Sequence, residues 1–249
     1  MNAFDLSGKT FLVTGASSGL GRQTAFSIAQ YGGNVVITGR NKVRLNETFE
    51  KLMQGIQYPQ SNIQIQADLT SQDDINTLVG QLPVLNGVVY SVGFSDLIPA
   101  KFINPEDLDR NFKVNFDASV LLTSALLRKK KLHHGSCSLV FISTISTRYP
   151  FVGGALYISA KAALEAYARV LGLELLSKKI RVNCISPGFV KGTMLDDTRN
   201  KISEETFAKI KERQPLGLGD PEDVANTIVF YLSPASEWIT GTSLILGGG

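Results

Sequence analysis

Short apolar runs alternate with longer helical patterns along the whole chain, and this rhythm limits the fold more than any single motif does. The runs are "TFLVT" (10–14), "NVVIT" (34–38), "NIQIQ" (62–66), "GVVYSV" (87–92), "SLVFIS" (138–143), "IRVNCIS" (180–186) and "SLIL" (243–246). Helical patterns fill 19–31, 41–54, 72–81, 105–131, 153–177 and 220–232. Most of the runs lack polar alternation, which suits strands covered on both faces, and β-α alternation builds a parallel sheet. The expectation is an α/β fold: one doubly wound domain over 1–249 with a mainly parallel seven-stranded sheet. Its ligand belongs beyond the carboxyl ends of the strands, where the strand order reverses.

Directly after the first run comes "TGASSGLGR", with Gly15, Gly19 and Gly21. Glycines permit a tight turn and close approach to a pyrophosphate, and the following helix offers free N–H groups at its positive end. The spacing is G-x-x-x-G-x-G rather than G-x-G-x-x-G, but its place between strand and helix at the start of a β-α series reads as a Rossmann-type dinucleotide turn. The second strand ends in "ITGRN". A carboxylate there would bind the ribose hydroxyls of NAD; Arg40 instead suits a 2′-phosphate, so NADP(H) is the expected cofactor. After the third strand, "ADLT" places Asp68 and Leu69 where an adenine edge could rest.

Tyr157 and Lys161 stand four apart in "LYISAKAALEAY", which on a helix puts both on one face. Free tyrosine, with a pKa of about 10, exchanges protons poorly at neutral pH. A neighbouring ammonium, with an oxidised nicotinamide, would stabilise its phenolate. With seven tyrosines in the chain, the pair alone proves little. The stretch from about 189 to 218 follows the sixth strand and carries the amphipathic "SEETFAKIKER"; it is placed to act as a substrate lid, and 94–104 would line the same pocket.

The net charge of +3 gives no case for a nucleic-acid binder, and "RKKKLHH" (128–134) reads as a solvated helix end. Cys137 and Cys184 read as buried free thiols. The two histidines, His133 and His134, have no carboxylate or thiol cluster around them in sequence, so no metal is expected. With no basic-then-apolar leader and no apolar run of membrane length, the expected location is the cytoplasm, off the membrane.

"TGASSGLG", Y-x-x-x-K at 157–161 and "RVNCISPGFV" at 181–190 together resemble the short-chain dehydrogenase/reductase family. The ending "GDPEDVANTIVFYLSPASEWITGTSLILGGG" looks most like its 3-oxoacyl-(acyl carrier protein) reductase branch. The resemblance spans nearly the whole chain. It implies a pyrophosphate loop of Gly15, Ser17, Ser18, Gly19, Leu20 and Gly21, with Gly93 keeping a close backbone approach. It implies that Asn115 helps hold a relay water, that Tyr157 is the catalytic tyrosine, and that Lys161 is its partner and a nicotinamide-ribose ligand. Pro187, Gly188, Val190 and Thr193 match the segment around the nicotinamide carboxamide. The family's carbonyl-binding serine lies thirteen residues before the tyrosine, which here is Thr144; Ser143 would need a bulge, and Ser146 a loop folded back. Where the family shows N-N-A-G, this chain has Tyr90 to Gly93, and its D-G-G ending is G-G-G.

The implied activity is NADP(H)-dependent interconversion of a carbonyl and a secondary alcohol, with a small carbonyl compound or a 3-oxoacyl thioester as substrate and a homotetramer as the assembly. A non-catalytic dinucleotide sensor and a nucleotide-sugar epimerase are the competing readings. The first would be favoured by loss of Tyr157, Lys161 or Asn115, all present. The second usually carries a separate C-terminal substrate domain, whereas the last strand here ends by 246.

Overall fold

The computed structural model describes residues 2–55, 61–201 and 203–248. Strands β1 (Thr10–Val13), β2 (Asn34–Gly39), β3 (Ile63–Gln66), β4 (Gly87–Tyr90), β5 (Cys137–Ile142), β6 (Ile180–Pro187) and β7 (Ser243–Leu246) form one sheet in the order β3-β2-β1-β4-β5-β6-β7. Every pairing between strands is parallel. The alternation along each strand sends side chains to two separate cores. Leu12, Val88, Leu139 and Val182 pack with α3 (Gln72–Gln81), α5 (Ala118–Arg128) and α6 (Ala155–Glu174). Phe11, Val13, Val89 and Val140 pack with α1 (Gly19–Gln30), α2 (Lys42–Gln54) and α9 (Pro221–Leu232). Burial on both faces explains the unbroken apolar runs.

Side-chain caps fix where several helices begin. Asn41, Ser71 and Asn104 accept backbone N–H bonds at the starts of α2, α3 and α4 (Pro105–Phe112). Asp220 forms a capping box with Asp223 ahead of Pro221. The pattern expected as one helix over 105–131 is broken: residues Lys113–Asp117 form a single π turn between α4 and α5, and the segment ends near Lys130, whose φ is 52°. Cys137 and Cys184 are free and buried, and burial pushes both thiols up to about 12. Among the described residues no helix is long and apolar enough to cross a membrane.

Candidate active site

β1 lies between β2 and β4, so the chain leaves it in opposite directions, and a crevice opens above the strand ends. A cavity of about 720 Å³ occupies it. The turn after β1 makes this possible. Gly15 has φ +65°, and a Cβ there would lie 2.8 Å from the Ser91 carbonyl oxygen, so no larger residue fits. Ser17, Ser18, Gly19 and Leu20 line the cavity beside it. Gly21, expected with them, is not part of the wall. A Cβ at Gly21 would lie 2.5 Å from the Gly15 carbonyl oxygen, so it allows α1 to pack close against the turn rather than touching a ligand.

The same end of the cavity fits a dinucleotide phosphate. Ser18 caps α1 without a side-chain hydrogen bond, which leaves first-turn N–H groups for an anion. Thr38, also on the wall, has a buried hydroxyl with no partner among the described residues. Arg40 stands exposed at the rim, and Arg44 lines the cavity from the first turn of α2. Asp68 and Leu69 line the adjoining wall. Partial burial works against the Asp68 anion, but the Thr70 N–H and hydroxyl, then Arg40 and Lys113, hold its carboxyl below the ordinary range. Arg44 had no motif to mark it in sequence.

At the other end Thr144, Tyr157 and Lys161 converge, all nearly buried. Thr144 follows β5 in extended backbone and caps the 3-10 turn Ile145–Thr147, accepting from the Ser146 N–H and donating to the Ser146 hydroxyl at 3.2 Å. Its side chain engages Tyr157. Ser143 points the other way, donating to Glu165 at 2.6 Å, as opposite-facing neighbours on a strand require. All three hydroxyl residues line the cavity; Ser143 is tied to Glu165, and Ser146 is bonded to Thr144.

Lys161 donates to the Ile142 carbonyl at 2.9 Å, and burial lowers its pKa to about 8. Burial pushes the Tyr157 phenol up to about 12, against a smaller opposing effect of Thr144. Desolvation dominates both groups, and the lysine tip is held by the β5 carbonyl.

Asn115 is fully buried in the π turn and does not line the cavity. Its amide accepts from the Phe94 N–H and donates to the Phe94 carbonyl, both at 3.1 Å, and to Asn111 at 3.0 Å. Its direct effect is to fix the backbone beside Gly93. Tyr90, in place of the family's first asparagine, is a core residue. It stacks on Phe141 at 4.1 Å and accepts from Thr123 at 2.7 Å.

Pro187, Gly188, Val190 and Thr193 line the wall opposite the glycine turn. The expected lid contains α7 (Thr193–Arg199) and α8 (Glu204–Glu212); its residue 202 lies outside the described residues. Gln214, which no sequence signal singled out, ties its base together. Its oxygen accepts from the Phe189 N–H at 2.7 Å, and its nitrogen donates to the Phe189 and Gly217 carbonyls. Phe94, Leu97, Phe151, Val152 and Met194 give the open part of this end an apolar lining.

A family profile described as enoyl-(acyl carrier protein) reductase matches residues 15–249. The chain is 31% identical over 246 residues to the 3-oxoacyl-(acyl carrier protein) reductase of Rickettsia felis, covering 98% of each. It is also 31% identical over 250 residues to the enzyme of that name from Aquifex aeolicus, again over 98% of each. Among solved structures, a Beutenbergia cavernae protein assigned as an NAD(P)-dependent gluconate 5-dehydrogenase, with NADP bound at low occupancy, superposes with a TM-score of 0.89 at 27% identity, over 100% of this chain and 98% of that one. A 7α-hydroxysteroid dehydrogenase complexed with NADH and a 7-oxo bile acid gives 0.89 at 26%, over 99% and 96%.

A phosphate-ready crevice over a doubly wound parallel sheet and relatives of this kind define a class: oxidoreductases that use a nicotinamide dinucleotide. Within that class the chain belongs to the short-chain dehydrogenase/reductase family.

Proposed function

We propose that the protein is an NADP(H)-dependent reductase of carbonyl compounds, working reversibly on the secondary alcohol, with 3-oxoacyl thioesters as the first substrate class to try. The observation that carries this reading is the meeting of Thr144, Tyr157 and Lys161 on one wall of the cavity. Gly15, Ser17, Ser18, Gly19 and Leu20 would hold the pyrophosphate, and Arg40 with Arg44 the 2′-phosphate. Asp68 and Leu69 would border the adenine. Gly93, Pro187, Gly188, Val190 and Thr193 would frame the nicotinamide, and Lys161 its ribose. When bound, the reduced nicotinamide supplies the hydride. Thr144 orients the substrate oxygen, and Tyr157 gives its phenolic proton to that oxygen as negative charge develops on it. Lys161 in its ammonium form favours the tyrosinate left behind, and Asn115 holds the adjacent backbone in place.

The reading extends to one catalytic domain with a lid near 189–218, to a cytoplasmic homotetramer, and to action off the membrane and without nucleic acid. Leucines and valines exposed on α5, α6 and β7, among them Leu121, Val170, Leu173 and Leu244, support the assembly. A panel of ketones, sugars and acyl-thioester mimics, scored by loss of NADPH absorbance, tests the function. Tight dinucleotide binding with no turnover on any of them would favour a sensor instead.

A further inference from the structure

On α6, two turns beyond Tyr157, a single carboxylate oxygen of Glu165 gathers three hydroxyls. Ser143 at the end of β5 donates at 2.6 Å, Thr147 in the 3-10 turn at 3.2 Å, and Ser186 on β6 at 2.9 Å. Ser186 in turn shares a hydrogen bond with Ser243 on β7 at 2.9 Å. Ser143 and Ser186 are almost fully buried, and hydrogen bonds to a charged acceptor are the strong ones. Ser143 and Thr147 bracket Thr144. Two anchors on one oxygen therefore fix both ends of the five-residue segment that carries it. We infer that Glu165 is a positioning residue: its carboxylate locks residues 143–147 to α6, so that the Thr144 hydroxyl and the Tyr157 phenol keep one geometry. This inference rests on the proposed carbonyl chemistry for its catalytic consequence, but not for the anchoring itself.

Two measurements separate those parts. Amide hydrogen exchange of the protein alone, followed by mass spectrometry, reports the anchoring. Glu165→Ala should lose protection in peptides covering 143–147, while peptides of β1, β2 and α1 keep theirs. Glu165→Gln, which retains an acceptor oxygen, should restore most of it. Unchanged exchange across 143–147 in Glu165→Ala would overturn the inference whatever the activity. The second measurement is a double-mutant cycle on kcat. Misplacing a reacting group by about 1 Å can cost roughly 10²-fold, so Glu165→Ala should lower kcat at least about 10-fold with little change in NADPH affinity. In a Thr144→Val background the same change should cost less than about 2-fold, because the hydroxyl it positions is already gone. Equal losses in both backgrounds would overturn action through Thr144. If no carbonyl compound is turned over by the unmodified protein, the functional reading falls and the exchange result still decides the anchoring.

Discussion

The Cβ that Gly93 lacks would stand 3.2 Å from the Nζ of Lys161, and 2.9 Å from the Oδ1 of Asn115. The lysine tip could swing aside, but Asn115 is held by three hydrogen bonds and cannot. Gly93→Ala should therefore displace the lysine and crowd the amide, costing about 1–3 kcal/mol in stability. Turnover should fall by at least about 10-fold as the lysine leaves its place. Steady-state kinetics with a thermal melt checks this; wild-type turnover in a folded Gly93→Ala protein would refute it.

Tyr157→Phe removes only the phenolic oxygen from a buried ring. Turnover should collapse while NADPH binding, followed by fluorescence titration, is largely kept. Thr144→Val should cost roughly 10²-fold in kcat, since it deletes a hydroxyl at the substrate oxygen without changing shape. A silent Thr144→Val beside a crippled Ser146→Ala would transfer that role to Ser146.

Cofactor choice should follow the cavity rim. Arg40→Asp replaces a phosphate partner with a like charge and should cost NADPH at least about 2 kcal/mol relative to NADH. Arg44→Ala should shift the same preference in the same direction, by less. Tighter binding of NADH than NADPH by the unmodified protein would contradict the assignment of Arg40.

Lys161 links stability to pH. Its folded pKa is lowered to about 8 from 10.5. Between those values the unfolded chain binds the extra proton, so this group makes stability rise with pH across that window. In Lys161→Met the rise should vanish. The check is the urea midpoint of both proteins at intervals from pH 7 to 10.5, read as their difference so that the tyrosines cancel. A difference that does not change with pH would show that the lysine is not desolvated as its burial implies.

Much of this was legible because periodicity and spacing survive in sequence. The seven apolar runs match the seven strands to within about two residues at their ends, since strand limits depend on pairing that local sequence does not carry. The thirteen-residue interval puts Thr144 and Tyr157 on one cavity because β5, its turn and the start of α6 have a fixed length. The π turn was hidden, since one inserted residue barely disturbs the apolar period of 105–131. Gly21 packs against the turn rather than lining the cavity, and a close-packing glycine and a ligand-facing one look alike in a string. The burial that raises the Tyr157 pKa is a tertiary property and leaves no mark in the sequence. Glu165, Asn111 and Gln214 drew no notice, as an ordinary Glu, Asn or Gln acquires its partners only when distant strands meet.

The placement of β1 beside β4 also sets when the crevice can exist. The Thr14 N–H bonds the Val89 carbonyl at 3.0 Å, and the Ser91 N–H bonds the Thr14 hydroxyl at 3.0 Å, across 77 residues of chain. A growing polypeptide that has completed only β1, β2 and β3 holds the glycine turn but lacks the wall it leans on. The tyrosine, the lysine and the strands that support them emerge later still. Pairings this distant in sequence form slowly, because the chain loses loop entropy before it gains contacts. A dinucleotide that spans both halves of the crevice can bind only the finished sheet, so it should raise the melting temperature in proportion to the logarithm of its concentration. The ligand then serves as an assembly checkpoint: saturation with it reports that the strand ends on both sides of the crevice, from β1 to β6, have reached their places.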